Sequence, residues 1–242
     1  MITVETLHEI TGSRTYEARK AAYLERMKAF GGDLMAPAVF AQITAQVLHE
    51  SGAFRYDEEI ASGAAYEGRL DLGNTEPGDG KRFKGRDLIQ VTGRANYDAL
   101  DRWVRTTLGG SPQFVNNPKN LTSPKWLGIG VVWYFLTRPG LLQKCRAGDI
   151  EAVTRSVNGG LNGYQDRLRW YNKTAMALLG HDDIKEMQRG IGVKPDGVIG
   201  PQTRAAMHAA LKTAPTQDTT TPAKPHWLVA LINALLGRKA KA

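Results

Sequence analysis

Between Ser51 and Gly93 the chain alternates glycine-rich turns, Ser62-Gly63-Ala64-Ala65 and Leu72-Gly73-Asn74-Thr75-Glu76-Pro77-Gly78-Asp79-Gly80-Lys81, with short pieces such as Arg82-Phe83-Lys84 and Leu88-Ile89-Gln90-Val91. Glycine and proline at this density interrupt any helix, and the apolar pieces between them are brief. The stretch therefore reads as a small, irregular β-region inserted among helices. No long-period repeat accompanies it.

Helical spacing dominates on both sides. Ala36-Pro37 opens a segment with Phe40, Ile43, Val47 and Leu48 on one face, Pro37 standing where a first-turn proline is tolerated and Glu50 falling at the C-terminal end. Further helices are predicted from about Ala95 to Leu108, from a Ser123 cap and Pro124 through Trp126, Val131, Trp133 and Phe135, after Asp149, and from Tyr164 to Leu179 with Gly180 closing the last. Beyond Gly180, a short helix bearing Ile184 and Met187, a turn at Asp196-Gly197 and a final helix opened by Gly200-Pro201 make a small helical unit. Composition then breaks at Thr213–Pro225, where prolines and threonines replace apolar periodicity and mark a linker.

The 242 residues, 42% hydrophobic and 23% charged, suit an ordinary globular chain able to bury a core without disulfides. Cys145 is the single cysteine, so neither an internal disulfide nor a multi-cysteine zinc site can form, and the residue reads as a small core side chain. No apolar run approaches the roughly 18 to 20 residues needed to span a bilayer. Met1-Ile-Thr-Val-Glu-Thr-Leu-His-Glu lacks a basic and then apolar leader, so synthesis in the cytoplasm is expected. The formal net charge of +8 favours a polyanionic partner: nucleic acid, anionic lipid or an acidic wall polymer. No helix shows the basic pattern of a nucleic-acid reader, and a monomer that binds no nucleic acid is expected.

Glu50 is the residue best placed for chemistry. A carboxyl at a helix C-terminus meets the negative end of the macrodipole, and packing against the apolar side of the helix adds desolvation, both of which favour a protonated acid. Such an acid is what a glycosidic oxygen needs as proton donor. Asp57, Glu58, Glu59, Glu67 and Asp71 follow on a glycine-rich segment able to fold back over the helix end, where one of them can activate water. A zinc-protease reading of His49-Glu50 fails, because HExxH needs a histidine where Ala53 stands. The five histidines show no ligand spacing, and no metal or cofactor is implied.

Three ordered stretches carry a resemblance: His49-Glu50-Ser51-Gly52-Ala53-Phe54, the run from Glu59 through Tyr66-Glu67-Gly68-Arg69 to Lys84-Gly85-Arg86, and Leu88-Ile-Gln-Val-Thr-Gly-Arg-Ala-Asn-Tyr97. Together with Val157-Asn158-Gly159-Gly160 they resemble glycoside hydrolase family 19 in the form found in phage endolysins, over roughly residues 30 to 180. The resemblance implies a lysozyme-like α+β fold, mainly helical, that cleaves β-1,4 bonds beside N-acetylated amino sugars by inversion. Carried over by position, Glu50 matches the proton donor. Glu59 is preferred as the second carboxylate, with Glu67 as the alternative. Gln90 and Thr92 match positions that help hold the attacking water, Asn96 and Asn158 match substrate-contacting asparagines, and Arg167 matches an arginine that orients the base. His49 joins the substrate-binding candidates. Where the family pattern has KGRG, this chain has Asp87 after Lys84-Gly85-Arg86, which puts the local backbone conformation in question.

Four segments follow: a catalytic domain over 1–180, a partial peptidoglycan-binding-like unit over 181–212, the linker 213–225 and a cationic amphipathic helix over 226–242. The second rests on Lys194-Pro-Asp-Gly-Val-Ile-Gly-Pro-Gln-Thr-Arg-Ala-Ala-Met207, which resembles wall-binding modules with a DGxxGPxT signature; a plain helical extension is the other reading. In the tail, Trp227, Leu228, Leu231, Ile232, Leu235 and Leu236 stand beside Arg238, Lys239 and Lys241, a pattern suited to shallow insertion into an anionic membrane or to docking in a protein groove. The expected protein is a phage-type endolysin that hydrolyses bacterial peptidoglycan, reaching the wall from the host cytoplasm after the membrane is permeabilised. A chitinase on the same fold and a membrane-active wall-binding protein are the rivals.

Overall fold

A computed structural model describes residues 1–214. Most of the linker and the whole 226–242 segment lie outside the described residues. The centre is α3 (Pro37–Glu50), which starts on Pro37 and is buried from Pro37 through Leu48. A helix buried on every side needs neighbours all round. α9 (Tyr164–Leu179) lies along it and contributes Leu168, Trp170, Tyr171 and Ala175 to the shared core. Around this pair pack α1 (Val4–Thr11) on α9, α7 (Leu141–Ala147) on α3, and α8 (Ile150–Asn158) on both. α2 (Glu17–Phe30) joins the body to α6 (Ile129–Thr137). The expected mainly helical, lysozyme-like architecture is the one observed.

Local chemistry accounts for most of the helix ends. Asp149 accepts the Ala152 N–H at 2.9 Å and starts α8 as expected. Gly180, left-handed, closes α9. α5 (Arg94–Leu108) begins one residue before its expected start. α6 begins at Ile129, not at Ser123. The Ser123 hydroxyl donates to the Asn120 carbonyl at 2.6 Å, so it caps nothing, and residues 124–128 form a turn. No element was anticipated before Ala36, yet α1 and α2 occupy most of that span. Thr3 accepts the Thr6 N–H at 3.2 Å and Gly12 ends α1, a cap and stop legible in principle.

The 51–93 stretch continues from the C-terminal end of α3 as a run of turns. It includes 3-10 turns at Ala64–Tyr66 and Leu70–Leu72 and the single-turn α4 (Asp79–Arg82). Its β-character reduces to two isolated antiparallel bridges, Glu58 with Arg86 and Arg86 with Val91. Asp87 and Gln90 both have positive φ, at 66° and 57°, which stops the pairing from extending into a strand. Cys145 is fully buried and its thiol is pushed up to about 12 by burial, consistent with a core side chain.

The small C-terminal unit consists of α10 (Ile184–Gly190), capped by Asp183, and α11 (Pro201–Thr213). Buried Gln188 ties the intervening turn, donating to Asp196 at 2.8 Å and accepting from the Gly197 N–H at 2.8 Å. α11 packs on α9 and α3, with Met207 and Leu211 fully buried. The His208 Nε2 lies 2.9 Å from the Arg146 carbonyl.

Candidate active site

Glu50 is the last residue of α3, and the chain turns sharply behind it. The Ser51 hydroxyl donates to the Val47 carbonyl at 2.7 Å and accepts the Phe54 N–H at 2.9 Å. Ala53 and Phe54 then adopt φ of 58° and 69°, conformations that L residues hold only when their surroundings over-determine them. Phe54 supplies that constraint, because it is fully buried against Tyr23 with ring centroids 5.6 Å apart. The His-Glu-Ser-Gly-Ala-Phe run thus presents Glu50 at the mouth of a rigid helix, 22% exposed.

Arg167, 1% exposed, holds that carboxylate. It donates to Glu50 Oε1 at 2.5 Å and to Gln46 Oε1 at 2.6 Å, and Gln46 Nε2 lies 3.3 Å from the Thr154 hydroxyl. α3, α9 and α8 are joined through one buried polar chain. The resemblance placed Arg167 beside the base, but the structure places it on Glu50. Gln46 was not singled out from sequence, although it sits four residues before Glu50 and shares its helix face. No hydrogen-bond partner contacts Glu50 Oε2 among the described residues. Tyr134, also not anticipated, donates toward the Ser156 and Val157 carbonyls at 3.0 and 3.2 Å. Burial raises its phenol, and the Glu50 charge adds to the rise while Arg138 and Arg167 oppose it, which puts Tyr134 within electrostatic reach of the pair.

His49 also meets the start of α9. Its Nδ1 lies 2.8 Å from Asp166, and its ring packs so closely on Gly163 that a Cβ there would fall 2.3 Å from Nε2. Although burial opposes it, hydrogen bonds from His49 and Arg169 hold the Asp166 carboxyl below its ordinary value. His49 therefore clamps α3 to α9.

The five acidic candidates separate by their partners. Asp57 pairs with Arg19, Glu58 with Lys84 and Arg86, and Asp71 with Arg69. Glu67 accepts the Gly78 and Gly80 N–H groups at 2.6 and 2.8 Å, so both its oxygens tie down the start of α4. Glu59 alone of the five meets a side-chain hydroxyl, accepting from Tyr66 at 2.9 Å and from the Gly85 N–H at 3.1 Å, with no cationic side chain among the described residues paired to its carboxylate. Gly85 is also where Gln90 and Thr92 converge. A Cβ on Gly85 would meet Gln90 Oε1 at 2.6 Å and the Thr92 hydroxyl at 3.3 Å. Glu59, Gln90 and Thr92 thus surround one glycine.

The asparagines are spent locally. Asn96 donates to the Thr92 carbonyl at 2.8 Å, bracing that cluster from α5. Asn158 accepts the Gly160 N–H and donates to the Asn162 carbonyl, both at 2.9 Å, and so closes its own loop. Tyr66 and Gly85 were not singled out as site residues; neither residue type signals, in sequence alone, that it holds a carboxylate. No group of three or more His, Cys, Asp or Glu side chains is placed to hold a metal ion among the described residues.

The two carboxylates differ in setting. Glu50 is ion-paired on a buried helix, and Glu59 is held by neutral donors on a turn. A contrast follows. Glu59→Gln is expected to lower turnover by about 10²- to 10⁴-fold with little change in melting, as loss of a general base does. Glu67→Gln is expected to cost about 1 kcal/mol of stability through its weakened amide contacts and to leave turnover near wild type. Steady-state kinetics with thermal melts check both, and reversed outcomes would make Glu67 the base.

Helices arranged around a buried central pair, with a turn-rich segment between α3 and α5, match solved enzymes. Chitinase C from Streptomyces griseus HUT6037 superposes with a TM-score of 0.55 at 20% identity, over 74% of this chain and 77% of that one. A bacterial family 19 chitinase superposes with a TM-score of 0.52 at 22% identity, over 81% of this chain and 98% of that one. The fold is that of the family 19 chitinases. In sequence, the chain is 33% identical over 114 residues to a glycosyl hydrolase family 19 domain-containing protein of Haemophilus influenzae, covering 47% of this chain and 51% of the relative. It is also 33% identical over 141 residues to an endochitinase of Arabidopsis thaliana, covering 57% of this chain and 45% of the relative. The chain spans about half the length of the curated relatives it matches. No family model matches it.

Proposed function

We propose that the chain is a glycoside hydrolase that cuts β-1,4 bonds in the glycan strands of bacterial peptidoglycan, with Glu50 as general acid and Glu59 as general base. The observation that supports this reading is the difference in setting between the two carboxylates: one on a helix end beside Arg167, the other at Gly85 with Gln90 and Thr92. Inversion needs carboxyls about 6.5 to 9.5 Å apart with a water between them. Glu50 gives its proton to the leaving oxygen as the C–O bond breaks. Glu59 takes a proton from the water that attacks the anomeric carbon from the opposite face, and the reducing end forms with inverted configuration.

Wall glycan is favoured as substrate by the net charge of +8 and by the Asp196-Gly197-Val-Ile-Gly-Pro-Gln-Thr203 signature. Chitin is the second reading, favoured by the endochitinases among the relatives. A phage-type endolysin role follows from the wall reading. In it the enzyme is made in the host cytoplasm, acts on the wall after membrane permeabilisation, and uses Trp227 through Lys241 to engage an anionic membrane surface. Release of reducing ends from purified sacculi, with none from chitin oligomers, is the expected result, and mass spectrometry of the products assigns the sugar at the new end. Hydrolysis confined to chitin oligomers would overturn the wall reading.

A further inference from the structure

Asp87 occupies the position where the resemblance expects glycine, and it takes up the glycine-like conformation at φ 66°. Its side chain is fully buried and grips the first turn of α6. Oδ1 accepts the Leu88 N–H at 2.5 Å and the Gly128 N–H at 2.8 Å, and Oδ2 accepts the Gly130 N–H at 2.5 Å. Its backbone carbonyl meanwhile accepts both amides of Gln90, the main-chain N–H at 3.1 Å and Nε2 at 3.0 Å. Arg86 and Val91 exchange bonds of 3.1 and 2.7 Å across the loop, and Thr92 donates to the Gln90 carbonyl at 2.9 Å. Asp87 thus links the first turn of α6 to Gln90 by hydrogen bonds from both its side chain and its carbonyl.

We propose that Asp87 is a positioning residue whose carboxylate pins the 85–92 loop to the N-terminus of α6, and so sets where Gln90, Thr92 and the Gly85 N–H stand relative to Glu59. The inference rests on Glu59 being the base. A glycine would adopt the same φ more easily but would leave the Gly128 and Gly130 amides without their acceptor, so the acid trades backbone ease for a fixed loop. The fit is close on the α6 side, because a Cβ on Gly130 would fall 2.6 Å from Oδ2 and 2.9 Å from Val91 Cγ2.

Charge bears on the same anchor. Burial raises the Asp87 carboxyl to about 6, although its three amide bonds and the Arg26 charge pull it down. Arg26 of α2 faces it, Tyr97 of α5 senses both it and Arg86, and the first turn of α6 brings no charged side chain. With the folded value raised, the stability this group contributes is full in acid and lost as pH rises through about 6. The ionised carboxylate present near neutrality is therefore kept for geometry. Below about 6 one oxygen becomes a donor and must release an amide.

Asp87→Asn retains shape and left-handed tolerance but turns an N–H₂ toward an amide, whereas Asp87→Gly removes the anchor. On peptidoglycan hydrolysed by the wild type, kcat is expected to fall about tenfold for the first and on the order of 10²-fold for the second, with KM within about threefold, as small misplacements of reacting groups do. Folded variants with wild-type kcat and only a lower Tm would overturn the proposal. In the wild-type protein, NMR titration should move the Gly128, Gly130, Gly85 and Thr92 amides with one shared midpoint. Absence of a midpoint shared across the loop and α6 also overturns it, whether or not the variants fold. Failure of the wild type to hydrolyse any glycan would instead sink the proposed function while leaving this coupling measurable.

Discussion

Glu50→Gln is expected to abolish glycan cleavage, with kcat falling about 10³-fold, while the protein still melts cooperatively. Glutamine keeps an oxygen for the Arg167 guanidinium, so the chain from Thr154 through Gln46 to Arg167 stays hydrogen-bonded. What disappears is the transferable proton. The substitution leaves the Arg167 guanidinium, 1% exposed, without its counter-charge, and the stability cost is expected at about 3 kcal/mol. Reducing-end release from sacculi alongside a thermal melt checks both halves. Residual turnover within tenfold of wild type would remove Glu50 as the acid.

Arg167→Ala is expected to damage fold and activity together. The side chain is among the largest fully buried ones, and its loss leaves a cavity between α3 and α9 and deprives Gln46 Oε1 of its donor. Cavity and orphaned acceptor together should cost about 3–5 kcal/mol. Glu50 would lose its only charged partner among the described residues, and turnover should drop at least 100-fold, the scale seen when a catalytic group is misplaced by about 1 Å. Arg167→Met separates the two effects. It refills most of the volume and should recover much of the melting temperature, but it donates no hydrogen bond and should leave turnover low. Recovery of full activity by methionine would show that Arg167 is packing alone.

These two residues also show how far the sequence could be read. Glu50 was legible because a proline start and apolar periodicity locate the end of α3. The partner of Arg167 was not, because it depends on which face of α3 meets α9, and that is fixed by the packing of two distant segments. Glu59 and Glu67 look alike in sequence. They part company only once Gly78 and Gly80 turn their amides toward one and Tyr66 turns its hydroxyl toward the other. The start of α6 was misplaced for a similar reason: Ser123 has the chemistry of a cap, but Asp87, far away in the chain, takes the Gly128 and Gly130 amides instead. Periodicity and caps reveal local order. A hydrogen bond whose partners lie forty residues apart leaves no such trace.

The seating of α11 on α9 and α3 bears on how proteins of this kind can be recombined. Met207 and Leu211 are fully buried there, and His208 reaches the Arg146 carbonyl, so the residues after Gly180 complete the same interior that carries Glu50 and Arg167. A chimera spliced at residue 180 would strip one wall from that interior. Grafting of new targeting segments belongs downstream of Thr213, where the last described helix has ended.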